Sequence, residues 1–264
     1  MRSDWTTLPE TVTTGIADRL GGAIDAVTPA SVGDHAEVAA TVAGPGTTVF
    51  VKAAFAGIQS LRFELAATKA IAGIPYPPKV QWHFEADGWL VVGTECLRGP
   101  HPDLSPGSRD LELFAAALGE LQKTPAPSGN WFSPAARCGF EIPAMEGDIL
   151  VHSDLNPTNL IVTPDGLRVV DWAFTTRAAP WVELALLTQW LIGSGHTAVQ
   201  AEEWLAQCPA WGAADPEVLD DFASRNASKW SLKARQSNET WVHDLAVWTV
   251  QWSAYRRRGT RRPI

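Results

Sequence analysis

The stretch 151–171, which reads VHSDLNPTNLIVTPDGLRVVD, determines both the fold and the chemistry expected of this chain. It distributes three polar side chains, Asp154, Asn159 and Asp171, around a short β-hairpin. One carboxylate can accept a proton, while an amide and a second carboxylate can hold magnesium against a phosphate. These are the groups that phosphoryl transfer requires.

The spacing within this stretch predicts its geometry. Residues 160–162 and 167–170 are β-prone runs joined through Pro164-Asp165-Gly166. Proline suits the first turn position and glycine a positive φ, which favours a three-residue loop with a bulge. That loop sets Asn159 opposite Asp171. Because Mg²⁺ prefers carboxylate and amide oxygens, both residues are predicted metal ligands at one end of the hairpin.

Each motif taken alone is weak. The Asp-x-x-x-x-Asn spacing is common by chance, and Asp171 before Trp172 is also typical of a strand end. The combination of His152-x-Asp154, Asn159, the hairpin and Asp171 is much more specific and indicates a kinase-type site. In that site Asp154 faces a substrate hydroxyl, whereas His152 braces the loop.

Here the chain resembles the aminoglycoside phosphotransferase family, small-molecule kinases related to protein kinases. The resemblance extends from about residue 31 to about residue 187. It implies an α+β, bilobal, protein-kinase-like fold, with Asp154 as catalytic base and Asn159 and Asp171 as magnesium ligands. Glu183 stands where the family usually carries aspartate, and we expect it to be structural rather than catalytic.

An upstream lysine and glutamate fit the same resemblance. Residues 47–54 alternate as a strand that places Lys52 opposite the apolar face. A lone strand lysine is usually solvated, but a kinase needs one there for the α- and β-phosphates of its nucleotide. Residues 61–71 are predicted to form a helix on which Glu64 can pair with Lys52. The alternative for Glu64 is an exposed helix charge.

The loop that would cover the phosphates departs from the protein-kinase pattern. Protein kinases have a glycine-rich loop there, whereas residues 29–38 contain a single glycine. Backbone N–H groups between Ser31 and His35 can still contact phosphate, so Ser31 and Gly33 are the candidate nucleotide-binding residues.

A hinge is predicted after the last strand of the N-terminal region. Residues 90–100 fit a buried strand that runs into an irregular segment. In the family this hinge binds adenine through backbone groups, and the matching positions are Glu95, Cys96 and Leu97.

Composition limits the class of protein. The chain has 264 residues, of which 45% are hydrophobic and 19% charged, as in globular proteins. We recognise neither a signal peptide nor an apolar run long enough for a membrane span, and we expect no membrane partner. The widely spaced Cys96, Cys138 and Cys208 suggest neither a metal site nor a disulfide framework. Reduced thiols and a cytoplasmic location are the simplest interpretation.

The charge distribution bears on partners. A net charge of −8 argues against nucleic acid, whose binders are basic. Residues 101–264 hold 14 basic and 19 acidic residues, and five of the basic ones lie in the segment 256–262, interpreted as a solvated tail. The remaining acidic surplus favours a cationic acceptor. The rival is a neutral acceptor, with the acidity serving solubility.

The chain is expected to form an N-terminal nucleotide-binding lobe (1–94), a hinge (95–100) and a C-terminal catalytic and acceptor-binding lobe (101–264). The first lobe is predicted as strands with one key helix, and the second as mostly helical. A stripe of apolar residues on the last helix is interpreted as core. The stripe comprises Trp241, Leu245, Trp248 and Trp252.

The leading hypothesis is a kinase that uses ATP or GTP with Mg²⁺ to phosphorylate a hydroxyl of a small molecule. The acceptor is expected to be an antibiotic of the aminoglycoside, peptide or nucleoside type, with a role in resistance. A sugar or amino alcohol metabolite is the alternative. Two hypotheses from other classes are a non-catalytic nucleotide sensor on the same fold and an interaction scaffold. The sequence does not specify an oligomeric state.

Overall fold

The structure is a computed structural model that describes residues 4–30 and 36–259. Within these residues the chain forms strands and α-helices in alternation at first and mainly helices later. The strands are β1 (Ala26–Pro29), β2 (Val38–Gly44), β3 (Thr47–Phe55), β4 (Val80–Ala86), β5 (Trp89–Glu95), β6 (Ile149–Val151), β7 (Leu160–Thr163), β8 (Gly166–Val169) and β9 (Thr176–Ala178). The helices are α1 (Glu10–Leu20), α2 (Gln59–Ala70), α3 (Asp110–Leu121), α4 (Pro134–Cys138), α5 (Trp181–Gly193), α6 (Ala198–Leu205), α7 (Pro209–Gly212), α8 (Pro216–Ala234) and α9 (Thr240–Gly259). The predicted α+β class is confirmed.

The chain divides into two compact units. Unit 1 comprises Met1–Pro100 together with Leu160–Phe174, and unit 2 comprises His101–Asn159 together with Thr175–Ile264. Unit 1 therefore contains the large sheet with α1, α2 and the β7–β8 hairpin. Unit 2 contains the remaining helices and the short β6–β9 pair. Among the described residues, no helix combines the length and apolar composition that a membrane crossing requires.

Unit 1 is built on a five-stranded antiparallel sheet with the order β1-β2-β3-β5-β4. The alternation predicted for β3 is present, because Val49, Val51 and Ala53 are buried while Lys52 lies on the other face. Helix α1 covers the first face and inserts Val12 and other apolar side chains into the same core. Complete burial of each such valine, leucine or isoleucine contributes roughly 1.5–3 kcal/mol.

Helix α2 covers the opposite face of the sheet. It buries Leu61 against Ala54, Leu90 and Val92 of the central strands. Its last turn ends at Ala70, before a proline-rich segment that cannot continue a helix. This packing brings the face of α2 that carries Glu64 next to β3, which fixes the geometry of the site in unit 1.

The hairpin from the opening stretch forms, but its predicted register is wrong. Strands β7 and β8 pair Leu160 with Val169 and Thr163 with Gly166, which leaves only Pro164 and Asp165 in the loop. The Thr163 hydroxyl donates to the Gly166 carbonyl at 2.8 Å and closes this tighter turn. The ladder thus ends at Leu160–Val169, one register step from the prediction.

Backbone contacts tie the hairpin to the rest of unit 1. The Val162 N–H donates to the Pro100 carbonyl at 2.9 Å, and the Val169 N–H donates to the Tyr76 carbonyl at 2.9 Å. At Gly99 the chain passes so close to Val162 that a Cβ would overlap the Val162 carbonyl. Only glycine fits there, because a side chain would break the Val162–Pro100 hydrogen bond.

Unit 2 is organised around α5, whose side chains are almost all buried. Helices α8 and α9 pack against each other and against α5. Helices α6 and α8 begin with side-chain caps, since Thr197 forms a capping box with Gln200 and Asp215 accepts the Glu217 N–H. Such caps typically contribute about 1 kcal/mol each.

Two expectations for the last helix need correction. The stripe on α9 is only partly core: Trp252 and Leu245 are buried, but Trp241 is 55% exposed and Trp248 is half-buried. Trp241 lies in the first turn of α9 and contacts the ring of Trp230 edge-on, with the ring centroids 5.9 Å apart.

The arginine-rich end is also more structured than expected. Arg256 is buried within α9, and its guanidinium contacts Glu202 at 2.7 Å and Asp220 at 2.5 Å. It is therefore part of the helical packing of unit 2 rather than a solvated tail. Arg261 and Arg262 lie outside the described residues.

Candidate active site

The predicted ion pair between Lys52 and Glu64 is present in unit 1. The Lys52 ammonium lies 2.8 Å from both carboxylate oxygens of Glu64 and 3.3 Å from Oδ1 of Asp171. The lysine comes from β3, the glutamate from α2 and the aspartate from the segment after β8. We call these three residues the lysine cluster. It brings two of the predicted nucleotide-binding residues together with one of the predicted metal ligands.

Asp171 owes its position to an unusual backbone. Its φ is 62°, a left-handed conformation that costs a non-glycine residue roughly 1–2 kcal/mol. The next residues form a 3₁₀ turn that packs on α2, and the buried indole of Trp172 donates to the Val169 carbonyl at 2.8 Å. This packing holds the strained residue, so the Asp171 carboxylate is directed at Lys52.

The lysine cluster keeps a positive charge between two carboxylates. Burial on its own lowers the pKa of Lys52, but the negative charges of Glu64 and Asp171 outweigh burial and raise that pKa. Burial raises the pKa of Glu64, and the adjacent ammonium opposes that rise. Lys52 is therefore a permanent cation that remains about one-sixth exposed, with a side-chain exposure of 16%.

The hinge residues lie at the end of β5 in unit 1. The Glu95 N–H donates to the Lys79 carbonyl at 2.9 Å, and its carboxylate accepts from the Lys79 N–H and pairs with Arg168. These contacts fix Glu95 on both sides. Cys96 follows, with its thiol 3.9 Å from the Thr41 hydroxyl. Among the described residues, the N–H groups of Cys96 and Leu97 have no hydrogen-bond partner.

The candidate phosphate-contacting residues Ser31 and Gly33 lie outside the described residues. The described chain resumes at Ala36, two residues before β2.

In unit 2, residues 152–159 form the loop that the sequence predicts to be catalytic, and we call this segment the catalytic loop. His152 is buried, and its Nδ1 accepts the Asp154 N–H at 3.3 Å, which agrees with the predicted bracing role. Ser153 is buried with a left-handed φ of 63°. The Asp154 side chain that follows keeps 22% of its surface exposed. The loop therefore presents one accessible carboxylate on a rigid backbone.

Asn159 closes the catalytic loop. Its side-chain N–H₂ donates to the Asp154 carbonyl at 2.9 Å and to Oδ2 of Asp154 at 3.2 Å. Within the described part of the chain, the amide oxygen of Asn159 accepts no hydrogen bond. The amide is thus oriented with its oxygen available as a ligand.

Glu183, from the first turn of α5, supports the loop from beneath. Its carboxylate accepts the His152 N–H at 2.5 Å and the Ser153 N–H at 3.0 Å. Burial raises the pKa of Glu183 to about 7, although the two N–H donors lower it in part. With both oxygens engaged by backbone donors and 3% exposure, Glu183 is structural, as expected.

One residue of this site was missed from the sequence. Arg137, in the short helix α4, donates to the hydroxyl and the carbonyl of Ser153 at 3.1 and 2.9 Å. Its guanidinium also lies 3.5 Å from Oδ1 of Asp154. The available signals were Ser133-Pro134 as cap and first residue and Gly139 as the terminating residue of a helix.

These arrangements define what each part can do chemically. The lysine cluster can bind an anion through a cation that is already oriented, and its Asp171 carboxylate can hold a divalent metal. The catalytic loop can offer Asp154 as a proton acceptor and the Asn159 amide oxygen as a second metal ligand. Carboxylate, amide and water oxygens are the donor set that Mg²⁺ prefers, so the residues fit that ion.

Comparison with known proteins agrees with this description. Residues 141–222 match the model of the phosphotransferase enzyme family. No curated protein matches the sequence. The match covers the catalytic loop, the hairpin and α5, which are the segments that carry the motifs described above.

Solved structures of low sequence identity share the fold. Choline kinase LicA from Streptococcus pneumoniae aligns with a TM-score of 0.64 at 17% identity, covering 95% of this chain and 98% of that chain. The aminoglycoside phosphotransferase APH(4)-Ia, in a ternary complex with ADP and hygromycin B, aligns with 0.63 at 14% identity over 96% and 100% of the two chains. The spectinomycin phosphotransferase APH(9)-Ia, in its AMP-bound complex, aligns with 0.63 at 10% identity over 96% and 95%.

These comparisons and the fold confirm two predictions, the resemblance to aminoglycoside phosphotransferases and the class of enzyme. Residues 141–222 of this chain match the phosphotransferase enzyme family, and the chain has the protein-kinase-like fold of solved kinases that act on small molecules.

Proposed function

We propose that the protein is a kinase that transfers the γ-phosphoryl group of ATP or GTP to a hydroxyl of a small molecule. The observation that carries this proposal is the lysine cluster, in which Lys52 is held 2.8 Å from Glu64 and 3.3 Å from Asp171. Phosphoryl transfer depends mainly on positioning and on neutralisation of charge, and this cluster supplies both for a nucleotide.

Lys52 is proposed to contact the α- and β-phosphates. Its raised pKa keeps the ammonium charged at neutral pH, and the bidentate contact with Glu64 orients it before nucleotide binds. Preorientation removes the entropic cost of ordering a long side chain when the substrate arrives. The backbone N–H groups of Cys96 and Leu97 are proposed to bind the base, together with the Glu95 carbonyl. Ser31 and Gly33 remain proposed phosphate contacts.

Asp171 and Asn159 are the proposed magnesium ligands. Asp171 contributes the formal negative charge, and Asn159 contributes the amide oxygen left without a partner by its two donor contacts to Asp154. When bound, Mg²⁺ neutralises charge that develops on the phosphates.

Asp154 is proposed as the group that orients the acceptor hydroxyl and takes its proton. Its carboxylate is accessible, while the backbone around it is fixed by Glu183, His152 and Arg137. A positioned carboxylate of this kind typically contributes ~10²–10⁴ in rate.

The acceptor is proposed to be an antibiotic of the aminoglycoside, peptide or nucleoside type, so that the enzyme would confer resistance, with a sugar or amino alcohol metabolite as the alternative. The charge argument for a cationic acceptor is weaker than the sequence suggested. Glu202 and Asp220 both pair with Arg256, which neutralises one of their two negative charges and so reduces the free acidity of unit 2. A neutral acceptor is therefore supported as well as a cationic one. Free thiols at all three cysteines agree with the proposed cytoplasmic location.

A non-catalytic nucleotide sensor and an interaction scaffold are the functions of other classes to exclude. The complete set of Lys52, Glu64, Asp154, Asn159 and Asp171 favours catalysis over the sensor, since a sensor has no need for a proton acceptor. The exposed side chains of Trp241, Val247 and Val250 on α9 are the feature that a scaffold would use.

The test is a turnover assay with ATP and GTP, with and without Mg²⁺, against a panel of aminoglycosides, peptide and nucleoside antibiotics, sugars and amino alcohols. We expect acceptor-dependent nucleotide consumption and a product that carries one added phosphoryl group by mass spectrometry. An Asp154→Asn variant is the matched inactive control. Nucleotide binding without turnover on any acceptor would establish the sensor instead, and absence of nucleotide binding would leave only the scaffold.

A further inference from the structure

Arg137 makes three contacts with the catalytic loop from outside it. Its Nε donates to the Ser153 hydroxyl at 3.1 Å, and its Nη2 donates to the Ser153 carbonyl at 2.9 Å. Nη2 also lies 3.5 Å from Oδ1 of Asp154. Two adjacent residues of the loop are thus held by one planar, permanently charged group, whose fork of donors suits a fixed pair of acceptors.

Ser153 is the point at which this contact matters. Its left-handed φ of 63° is strained for a residue with a Cβ, and such a conformation persists only where the surroundings overdetermine it. Glu183 accepts the Ser153 N–H on one side, and Arg137 binds the Ser153 carbonyl on the other. Glu183 therefore binds the backbone N–H of Ser153, and Arg137 binds its backbone carbonyl. The conformation of Ser153 sets the direction of the next side chain, Asp154.

We propose that Arg137 is a positioning residue for catalysis, which fixes the direction of the Asp154 carboxylate through Ser153. This inference rests on the proposed function, because it assigns Arg137 a role in the same phosphoryl transfer. Arg137 is not part of the sequence motif, because it belongs to α4 and lies 17 positions before Asp154.

The role of Arg137 has a geometric origin. It comes from the two hydrogen bonds to Ser153, and a displacement of about 1 Å at a reacting group can cost ~10²-fold in rate. The contact between the guanidinium and Oδ1 of Asp154 also restrains the carboxylate directly. Both side chains are about one-quarter exposed, so solvent weakens this contact without removing it.

The experiment compares Arg137→Ala and Arg137→Lys with the wild type in the best acceptor assay. For Arg137→Ala we expect kcat to fall ~10²-fold while the nucleotide KM stays within about twofold, because the lysine cluster is untouched. We also expect added guanidinium to restore part of the turnover. Arg137→Lys keeps the charge but not the fork of donors, so kcat should fall ~10-fold.

Arg225→Ala is the matched control, because Arg225 forms an exposed ion pair with Asp221 in the same unit. It should leave kcat and the nucleotide KM unchanged. Ser153→Ala removes only the hydroxyl contact and serves as a second probe should Arg137→Ala fail to fold. We expect a loss of only a few-fold from it, since the carbonyl contact remains.

Amide hydrogen exchange provides a readout that does not need turnover. In Arg137→Lys, and in Arg137→Ala where it folds, the His152, Ser153 and Asp154 amides should exchange faster, while α5 and α9 keep their protection. Wild-type kcat in both Arg137 variants would overturn the proposal, as would unchanged exchange. If the wild type itself turns over no acceptor, the proposed function fails, and the exchange measurement still decides whether Arg137 holds the loop.

Discussion

The lysine cluster of unit 1 and the catalytic loop of unit 2 use charged residues in opposite ways. In the lysine cluster, Lys52, Glu64 and Asp171 contact one another through their side chains. In the catalytic loop, Glu183 and Arg137 bind mainly the backbone of Ser153 and His152. The carboxylate of Asp154 stays partly exposed.

This difference predicts which substitutions each region tolerates. In the lysine cluster each charge compensates its neighbour, so removal of one leaves another buried and unbalanced. In the catalytic loop Glu183 and Arg137 fix the direction of the Asp154 carboxylate. Their removal should misdirect that carboxylate without changing the proposed nucleotide site. Variants of the first kind should therefore alter nucleotide binding, and variants of the second kind should alter turnover alone.

Asp171→Ala should have the largest effect, because it removes a proposed metal ligand and one of the two partners of Lys52. We expect turnover to fall at least ~10³-fold, since a catalytic metal supplies several kcal/mol of charge stabilisation. Titration calorimetry should show weaker binding of the nucleotide in the presence of Mg²⁺. Asp165→Ala removes an exposed carboxylate in the turn of the same hairpin and serves as the control. It should leave turnover and nucleotide binding unchanged. Normal Mg²⁺-dependent binding by Asp171→Ala would remove Asp171 from the metal site.

Asp154→Asn should follow, with a loss of ~10²–10⁴ in kcat, which is the usual range for a positioned general base. The nucleotide affinity should remain that of the wild type, because Asp154 is not part of the lysine cluster. A calorimetric titration alongside the rate measurement checks both halves of this expectation. If the variant binds nucleotide more weakly, or keeps its kcat, the division between the two regions is wrong.

Lys52→Ala and Glu64→Ala should each raise the nucleotide KM, with a milder effect for Glu64→Ala. Because Glu64 acts by orienting Lys52, the two losses should be non-additive by ~0.5–3 kcal/mol in a double-mutant cycle. The exposed pair Lys123–Glu120 provides a control cycle in which the coupling should be near zero. Strictly additive losses for Lys52 and Glu64 would mean that the glutamate does not hold the lysine.

The smallest effect concerns stability and its pH dependence. Burial raises the pKa of Glu183 to about 7 from an ordinary value near 4.5. A carboxyl with a raised pKa in the folded state binds its proton more tightly there than in the unfolded chain. Its contribution to stability is therefore largest below about pH 4.5 and is lost as the pH rises towards 7, by at most ~3 kcal/mol.

Glu183→Gln isolates this contribution, because glutamine keeps an acceptor oxygen for the loop but does not titrate. Urea unfolding of both proteins at pH 5, 6, 7 and 8 gives the difference in free energy of unfolding. The wild type should lose stability relative to Glu183→Gln between about pH 5 and 7, and the difference in free energy of unfolding should be constant above that range. A difference that is constant with pH would show that Glu183 keeps an ordinary pKa.

Much of unit 1 could be predicted from the sequence because its signals are periodic. The alternation of β3 separated Lys52 from Val49 and Val51, and the helical spacing of α2 placed Glu64 beside the sheet. Side chains that pair across two regular elements follow from those periods. The hairpin was recognised for similar reasons, but its register depended on whether Gly166 lay in the loop or in the strand, and turn residues alone did not decide that.

The support of the catalytic loop could not be predicted in the same way. Helix α4 has five residues, too few for a periodic signal, and Arg137 contacts a backbone carbonyl that carries no sequence signature. Arg256 illustrates the same limit, because its partners Glu202 and Asp220 come from two other helices. Contacts between distant short elements depend on tertiary packing, which a local pattern does not encode.

Ser153 and Asp171 share a left-handed backbone, with φ values of 63° and 62°. Glycine adopts this conformation without steric penalty, so at both positions the residue that best suits the main chain lacks the side chain that the site needs. Selection for heat resistance alone would drive both positions towards glycine, whereas selection for turnover would retain serine and aspartate. A laboratory evolution experiment under each pressure should therefore diverge first at these two positions.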